Sequence, residues 1–547
     1  MNRQRKFIWQ LLFILALTIF LTACNNNEGT SSNSNDSNSS EDSNTEENNN
    51  ESKSGGDLII AELSDAQSLD PHGANDVPSS NVTINIYETL VTRDADTNLA
   101  PSLAESWEQI DELTWEFKLK QGVVFHDGEP FTAEAVKKTF DRILDEKVAS
   151  SRAFLFAMVN EVKVVDDHTV QFITEYPFSP LLAHLTHTGG AIISPKAINE
   201  DYAAMAADST LAAGSVIGTN PVGTGPFKFV SWNPGTEIKL ERFDNYSGGG
   251  EPAKVDSVTF KVVPESAVRI AELESGYAHI AGTIEPGQVK RVNATEGISV
   301  IETAASSVTY VGFNMQKEPF NNKLVRQAIS KAIDREQLID GIYEGYGIEA
   351  ISLIAPGIFG YTDDLPSMEY NIEEAKALLD EAGYADGFST TIWTNDNPAR
   401  QNIAIVLQEE LKKLNIDAKI EVLEWGAYLE KTAAGEHDMF ILGWSNATLD
   451  ADNGIYALVH SSQHGTAGNR SFYTNEKLDD LLLKGRQEAD ETARAAIYKE
   501  ALQIIADDAP IANVLHQYLL TGVSDKISGM EVGTDSLYRL RNVTIKD

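Results

Sequence analysis

The spacing of apolar positions changes several times along the chain. Phe7 to Leu21 is an almost unbroken apolar run, interrupted only by Gln10 and Thr18. Asn25 to Gly56 is nearly all Asn, Ser, Glu, Asp and Gly, with no apolar side chain to bury. From Gly56 short strands dominate. Gly56 to Leu63 reads as a strand, and Trp107 to Ile110 with Thr114 to Leu119 alternate as a hairpin does. Val162 to Ile173 alternates again, and Ile238 to Phe243 and Ser257 to Val263 continue as strands. Helical spacing behind Pro78 predicts a helix over Ser79 to Leu90. Thr132 is placed to cap a helix, and Arg269 to Ser275 reads as a helix closed by Gly276.

After the strand Thr309 to Asn314 the pattern becomes alternating helix and strand. Asn322 and Asn371 stand where helix caps belong. Strand Thr390 to Trp393, helix Pro398 to Leu414 and strand Ala418 to Leu423 form a βαβ unit, which predicts a parallel or mixed sheet covered by helices. The helix Tyr428 to Ala434 leads to Met439-Phe-Ile-Leu442, a buried strand expected to break at Gly443. Helices Glu476 to Arg486 and Glu491 to Asp507 then precede a strand at Ile511 to His516. The pattern describes an α/β protein with two sheet-bearing lobes, the first richer in strands.

Gly443-Trp444-Ser445 and the carboxylates Asp450 and Asp452 follow a strand end, where ligands sit in open α/β folds. An aromatic face beside polar groups suits a small-molecule cleft. The stretch reads as one wall of a binding site; the competing reading is a tryptophan-bearing surface loop.

The N-terminus adds a compartment. Arg3, Arg5 and Lys6 precede the apolar run, which has the length of a signal-peptide core rather than a membrane span. Leu21-Thr22-Ala23-Cys24 resembles a bacterial lipobox, in which Cys24 carries lipid. It is the single cysteine of 547 residues, so no internal disulfide can form. The tether behind it has the composition of a disordered spacer. A net charge of −39 excludes the basic patches that nucleic acid or an anionic membrane surface requires.

Several motifs together resemble the extracellular solute-binding protein family 5, the receptors of peptide and nickel ABC transporters. They are Leu69-Asp-Pro-His72, Trp115 to Gly128, Pro221-Val-Gly-Thr-Gly-Pro-Phe-Lys228, Asn314 with Pro319-Phe320 and Val325-Arg-Gln-Ala328, and Gly435-Glu-His-Asp438 with Gly443-Trp444. The resemblance implies a large two-lobed fold of the periplasmic-binding-protein kind (type II with an extra subdomain), mixed sheets and a hinge between the lobes. The resemblance runs from Gly55 to the end of the sequence; the signal peptide and tether read from the residues above occupy 1–23 and 24–56. Lobe one would comprise 57–96 with 221–303 and 525–547, its inserted subdomain 97–220, and lobe two 304–524. The glutathione-binding branch is similar at Ala74-Asn75-Asp76, Trp393, Gly443-Trp444-Ser445 with Ala451-Asp452, and Phe472-Tyr473.

The resemblance also implies site residues. Peptide receptors of this family place an aspartate three residues after the tryptophan of Gly-Trp to hold the ligand's amino group; that position is Ala447 here. Asp450 and Asp452 are the nearby candidates to hold an ammonium, each equally a helix N-cap or a solvated charge. Where the dipeptide branch has an arginine this chain has Trp393, so Arg400 and Arg470 become candidates for the ligand's carboxylate. Trp393 and Trp444 are candidate cleft aromatics, Thr224 and Gly225 candidate backbone contacts, and Asn75 and Asn314 further pocket candidates.

Neither His-Glu-x-x-His nor Gly-x-Ser-x-Gly occurs, and the pairs His184/His187 and His460/His464 fall short of a catalytic zinc set. The expectation is therefore a lipid-anchored, non-catalytic receptor without cofactor or metal, acting as a monomer on the extracellular face of the membrane or in the periplasm. It would deliver short peptides, glutathione being one candidate, to ABC permease subunits. The alternatives are a nickel chelate or haem as ligand, or a secreted hydrolase.

Overall fold

The computed structural model describes residues 55–366 and 368–546. The leader, Cys24 and nearly all of the tether lie outside the described residues. Among those described, no helix is long and apolar enough to cross a membrane.

The main sheet has twelve strands. Its centre is the fourteen-residue strand Ile511–Ser524, which continues well beyond the expected His516. The first part of this strand pairs antiparallel with Ser307–Phe313 and Gly347–Glu349. Its latter part pairs with Ile298–Ala304 and Ile280–Ala281. One half of the sheet then runs outward through Met439–Ser445, Ser389–Asn395 and Asp417–Leu423. The other runs through Asp57–Glu62, Ser257–Val262, Glu237–Arg242 and Phe227–Asn233. Ser389–Asn395 and Asp417–Leu423 are parallel, joined by the helix Pro398–Lys412, as the βαβ pattern predicts. Within 97–220 a separate four-stranded antiparallel sheet contains Ala104–Asp111, Thr114–Leu119, Val159–Asp166 and Thr169–Thr174. This mixed α/β architecture fits the two-lobed fold expected from the sequence.

The caps follow the sequence. Asn322 Oδ1 accepts from Leu324 N, Asn371 Oδ1 from Glu374 N, and Gly276 ends its helix in the left-handed region at φ 75°. Two expectations are corrected. The helix behind Pro78 covers only Val77–Thr83. The carbonyls of Asn85 and Ile86 are taken by Phe227 N at 3.1 Å and Gly225 N at 2.8 Å. They are committed to a neighbouring loop, so the helical ladder stops. The strand at Met439 does not break at Gly443 but continues to Ser445, because Thr309, Val308 and Ser307 pair with Gly443, Trp444 and Ser445.

An apolar cluster runs from the 97–220 segment into residues 308–511, with Phe154 and Tyr456 stacked at 6.5 Å. A second core underlies the Asp57 half and a third the βαβ half.

Candidate functional site

Three strands end at one place. The carboxyl ends Glu62, Asn395 and Gly443-Trp444-Ser445 all line a cavity of about 270 Å³. The start of the antiparallel strand, Ser307-Val308, and the middle of the long strand, Gln517 to Leu520, complete its floor. Residues Asp535 to Tyr538 close it from the C-terminal segment. Strand carboxyl ends are where open α/β sheets hold ligands, since side chains from both halves converge there without a covering helix. The first turn of the fifteen-residue helix Pro398–Lys412 faces the same cavity and brings the positive end of its dipole.

Four of the residues singled out from the sequence meet here: Asn75, Arg400, Trp444 and Arg470. Trp444 is fixed by a hydrogen bond from its Nε1 to Asn453 O at 2.9 Å, which leaves the indole as a wall. Arg400 donates from Nη1 to Asn395 Oδ1 at 3.1 Å and lies 5.8 Å from the centre of the Trp425 ring. Arg470 is 7% exposed and donates only from Nε among its guanidinium nitrogens, to Thr432 Oγ1 at 3.1 Å. Burial lowers its pKa, opposed by Tyr310 and Tyr428. Neither arginine forms an ion pair with a carboxylate among the described residues. Ala447 also lines the cavity, so the position that the family resemblance assigns to an aspartate offers only a methyl group.

The other six do not line the cavity. Thr224 is fully buried, and Gly225 is packed where a Cβ would stand 2.6 Å from the Ile86 carbonyl carbon. Asn314 Nδ2 donates to the carbonyls of Gly435 and His437, tying a turn. Trp393 is a core residue at 8% exposure, edge-on to His437. Asp450 caps the helix Ala451–Val459, accepting from Asp452 N at 2.9 Å, and both its oxygens are gripped by Arg494. Asp452 is paired with Arg486 and sits 3.1 Å from His184 Nε2. Burial opposes its ionisation, but Arg486 and His184 outweigh this and hold its carboxyl below the usual range. The expectation that Asp450 or Asp452 holds a ligand's ammonium does not fit these positions.

Pattern reading missed Glu62, Arg152, His187, Trp425 and the C-terminal Asp535 to Tyr538. Glu62 was visible only as one residue of the predicted strand Gly56 to Leu63. Arg152 donates to Thr188 Oγ1 and, at 3.0 Å, to Ser80 Oγ, and burial brings its pKa down to about 10. Burial and then Arg152 hold His187 well below its ordinary value, so it is neutral. Glu62 is the opposite case: burial raises its carboxyl to about 7 against the pull of Arg269. Among the described residues no group of three or more His, Cys, Asp or Glu is arranged to hold a metal ion.

Over residues 98–466 the chain matches the bacterial extracellular solute-binding proteins, family 5 (middle). It is 31% identical over 490 residues to the dipeptide-binding protein of Escherichia coli K12, covering 85% of this chain and 90% of that protein. It is 32% identical over 499 residues to the glutathione-binding protein GsiB of Pectobacterium atrosepticum, covering 90% and 94%. Among solved structures it is similar to the periplasmic binding protein DppA of Helicobacter pylori in complex with the peptide STSA. There the TM-score is 0.83 and the identity 32%, over 90% of this chain and 99% of that one. The oligopeptide-binding protein AppA of Bacillus subtilis, in complex with a nonapeptide, matches with TM-score 0.82 and 28% identity over 91% and 100%.

Proposed function

The chain belongs to family 5 of the bacterial extracellular solute-binding proteins, and from that membership we propose that it is a non-catalytic receptor that captures a short peptide for an ABC importer. One observation carries the reading. Two guanidinium groups without carboxylate partners among the described residues, Arg400 and Arg470, line the same cavity as the indole of Trp444, at the carboxyl ends of three strands. Guanidinium is the side chain suited to bidentate capture of a carboxylate, and a desolvated cation gains most from such a partner. The peptide terminus is therefore assigned to these two arginines, with Trp444 and Asn75 packing against the backbone beyond it. A cavity of about 270 Å³ is at the small end of ligand sites, which run from roughly 300 to 1,000 Å³, and favours a ligand of a few residues. Glutathione is a member of that class, and relatives named for it support its inclusion.

The capture step is enclosure. The two lobes, 57–96 with 221–303 and 525–547 against 304–524, are connected where Ala304 passes to Ser307 and along the long strand near Gln517, with Ala305 N donating to Gln517 O at 3.3 Å. Bending there opens the cavity, and a bound peptide shifts the balance toward the closed form. The Leu21-Thr22-Ala23-Cys24 motif supports anchoring of the receptor through lipid on Cys24, on the extracellular face of the cell membrane or in the periplasm, where it meets the permease subunits.

Mass spectrometry of the solute that co-purifies with the protein tests the ligand class. A short peptide is the expected result; a nickel chelate or haem in its place overturns it. Small-angle scattering is expected to report compaction when the peptide is added to emptied protein. An unchanged radius of gyration under saturation removes the closure mechanism.

A further inference from the structure

Four carboxyl groups line the cavity, and they are not equivalent. Asp76 accepts from Ser79 N at 3.0 Å and Ser79 Oγ at 2.8 Å as a helix cap. Asp535 is held by Arg539 through both oxygens and accepts from Leu537 N. Glu285 is partly exposed, as Glu62 is, but neither of its carboxyl oxygens is both shut off from solvent and without a partner. Glu62 differs from all of them. Its Oε1 is shut off from solvent and has no hydrogen-bond donor among the described residues. The cation that acts on it electrostatically, Arg269, donates instead to the carbonyls of Val263, Pro264, Gly282 and Thr283. Room for the carboxyl is kept by a glycine: a Cβ on Gly282 would stand 2.3 Å from Glu62 Oε2. A buried carboxyl oxygen without a donor is costly, and such atoms in native structures call for an explanation.

We propose that Glu62 receives the ammonium group of the ligand, the task that Ala447 cannot perform and for which Asp450 and Asp452 are not available. The inference rests on the peptide reading above and adds its amine subsite. With the terminal carboxylate on Arg400 and Arg470, Glu62 at the end of its own strand lies on the other half of the sheet, so a zwitterionic peptide bridges the two halves. This gives closure a reason: each lobe holds one charge of the ligand.

The site also couples binding to a proton. Burial keeps Glu62 protonated up to about pH 7 against the pull of Arg269. The other titratable and charged groups around it include Tyr538, which faces Glu62 from the C-terminal segment, and Asp76, Glu285, Asp535, His187, Arg152, Arg400 and Arg470 on the cavity walls. When the ligand's ammonium docks, the carboxyl O–H releases its proton to solvent and the carboxylate pairs with the cation. Tyr538 keeps its proton, since burial and Glu62 raise it, and His187 stays neutral.

The test uses the purified full chain, emptied of solute and equilibrated with an equimolar library of free di- and tripeptides together with their N-acetylated counterparts, read by native mass spectrometry. Retention of free peptides at least about tenfold over acetylated ones is expected, the ratio collapsing in Glu62→Gln but not in Glu285→Gln, as the loss of a charge-assisted hydrogen bond predicts. Calorimetry of the best-retained free peptide at pH 6, in buffers of different ionisation enthalpy, is expected to give release of roughly one proton per ligand by wild type and none by Glu62→Gln. Thermal unfolding confirms that the isosteric variant is folded. Equal retention of free and acetylated peptides overturns the amine subsite and leaves the peptide reading intact. A preference that persists in Glu62→Gln, or disappears in Glu285→Gln instead, overturns it as well. Retention of no peptide at all removes both.

Discussion

Asp452 accepts hydrogen bonds from both Nε and Nη2 of Arg486, at 2.8 and 3.0 Å, and the two side chains are at most 2% exposed. The Arg486 guanidinium lies 3.3 Å from the centre of the Tyr456 ring, and its Nη2 also reaches Phe154 O in the 97–220 segment. The pair is thus a structural joint between segments distant in sequence, and it leaves Asp452 no valence for a ligand.

Asp452→Asn should therefore act on stability rather than affinity. Breaking a buried pair costs about 3–5 kcal/mol because an uncompensated charge remains. The native carboxyl titrates below its ordinary 3.8, so its contribution is present above that pH and is lost as pH falls through the native value. Denaturant titration of the variant should give the loss at pH 7, with peptide affinity of the folded fraction unchanged. A large affinity loss with unchanged stability would restore Asp452 to the recognition site.

Glu62 has the reverse sign. Its folded-state pKa is raised from 4.5 to about 7, so the neutral carboxyl is tolerated at low pH and the charged one is penalised. Stability should fall as pH rises from about 4.5 to about 7, by on the order of 3 kcal/mol in the ligand-free protein. Glu62→Gln should flatten this slope and raise the melting temperature at pH 8. Identical pH profiles for wild type and variant would refute the shift.

Arg400→Met and Arg470→Met should each weaken peptide binding by about 1.5–3 kcal/mol, the range for hydrogen bonds to charged groups, or roughly ten- to a hundredfold. Neither breaks an ion pair with a described residue, so their melting temperatures should stay close to wild type. Calorimetry with a free dipeptide reads both. Affinity that survives the double variant would move the carboxylate subsite elsewhere.

Gly223 and Gly225 bring their loop against the Asn85–Tyr87 backbone. A Cβ at Gly223 would stand 2.3 Å from Ile86 O, and one at Gly225 2.6 Å from the Ile86 carbonyl carbon. Gly225→Ala should cost about 1–3 kcal/mol or more, since backbone rather than a side-chain tip must move. It should also weaken the hydrogen bond from Gly225 N to Ile86 O. Urea unfolding midpoints for the two alanine variants provide the check; a neutral result would mean that the loop shifts freely.

Much of the local structure was legible in the sequence. The βαβ unit at Thr390 to Leu423, the caps Asn322 and Asn371, and the Gly276 stop each depend on side chains within a few residues, and the structure has them where the pattern places them. Trp444 lines the cavity, although its strand runs on to Ser445 rather than breaking at Gly443. The helix at Ser79 failed as a reading because its carbonyls are claimed by Gly225 and Phe227, which are more than a hundred residues away.

The division between the two kinds of knowledge is sharpest among the carboxylates. The sequence by itself determined the α/β class and carried the family landmarks, and the resemblance resting on those landmarks implied the missing acid at Ala447, since these depend on residues near one another in the chain. It could not determine which acid is free. Asp450 and Asp452 are consumed by Arg494 and Arg486, each more than thirty residues along the chain, whereas Glu62 Oε1 is left without a donor among the described residues, in a cavity built from both halves of the sheet. Whether a charged group is satisfied depends on every donor that reaches it through space, and only the tertiary structure brings those donors together.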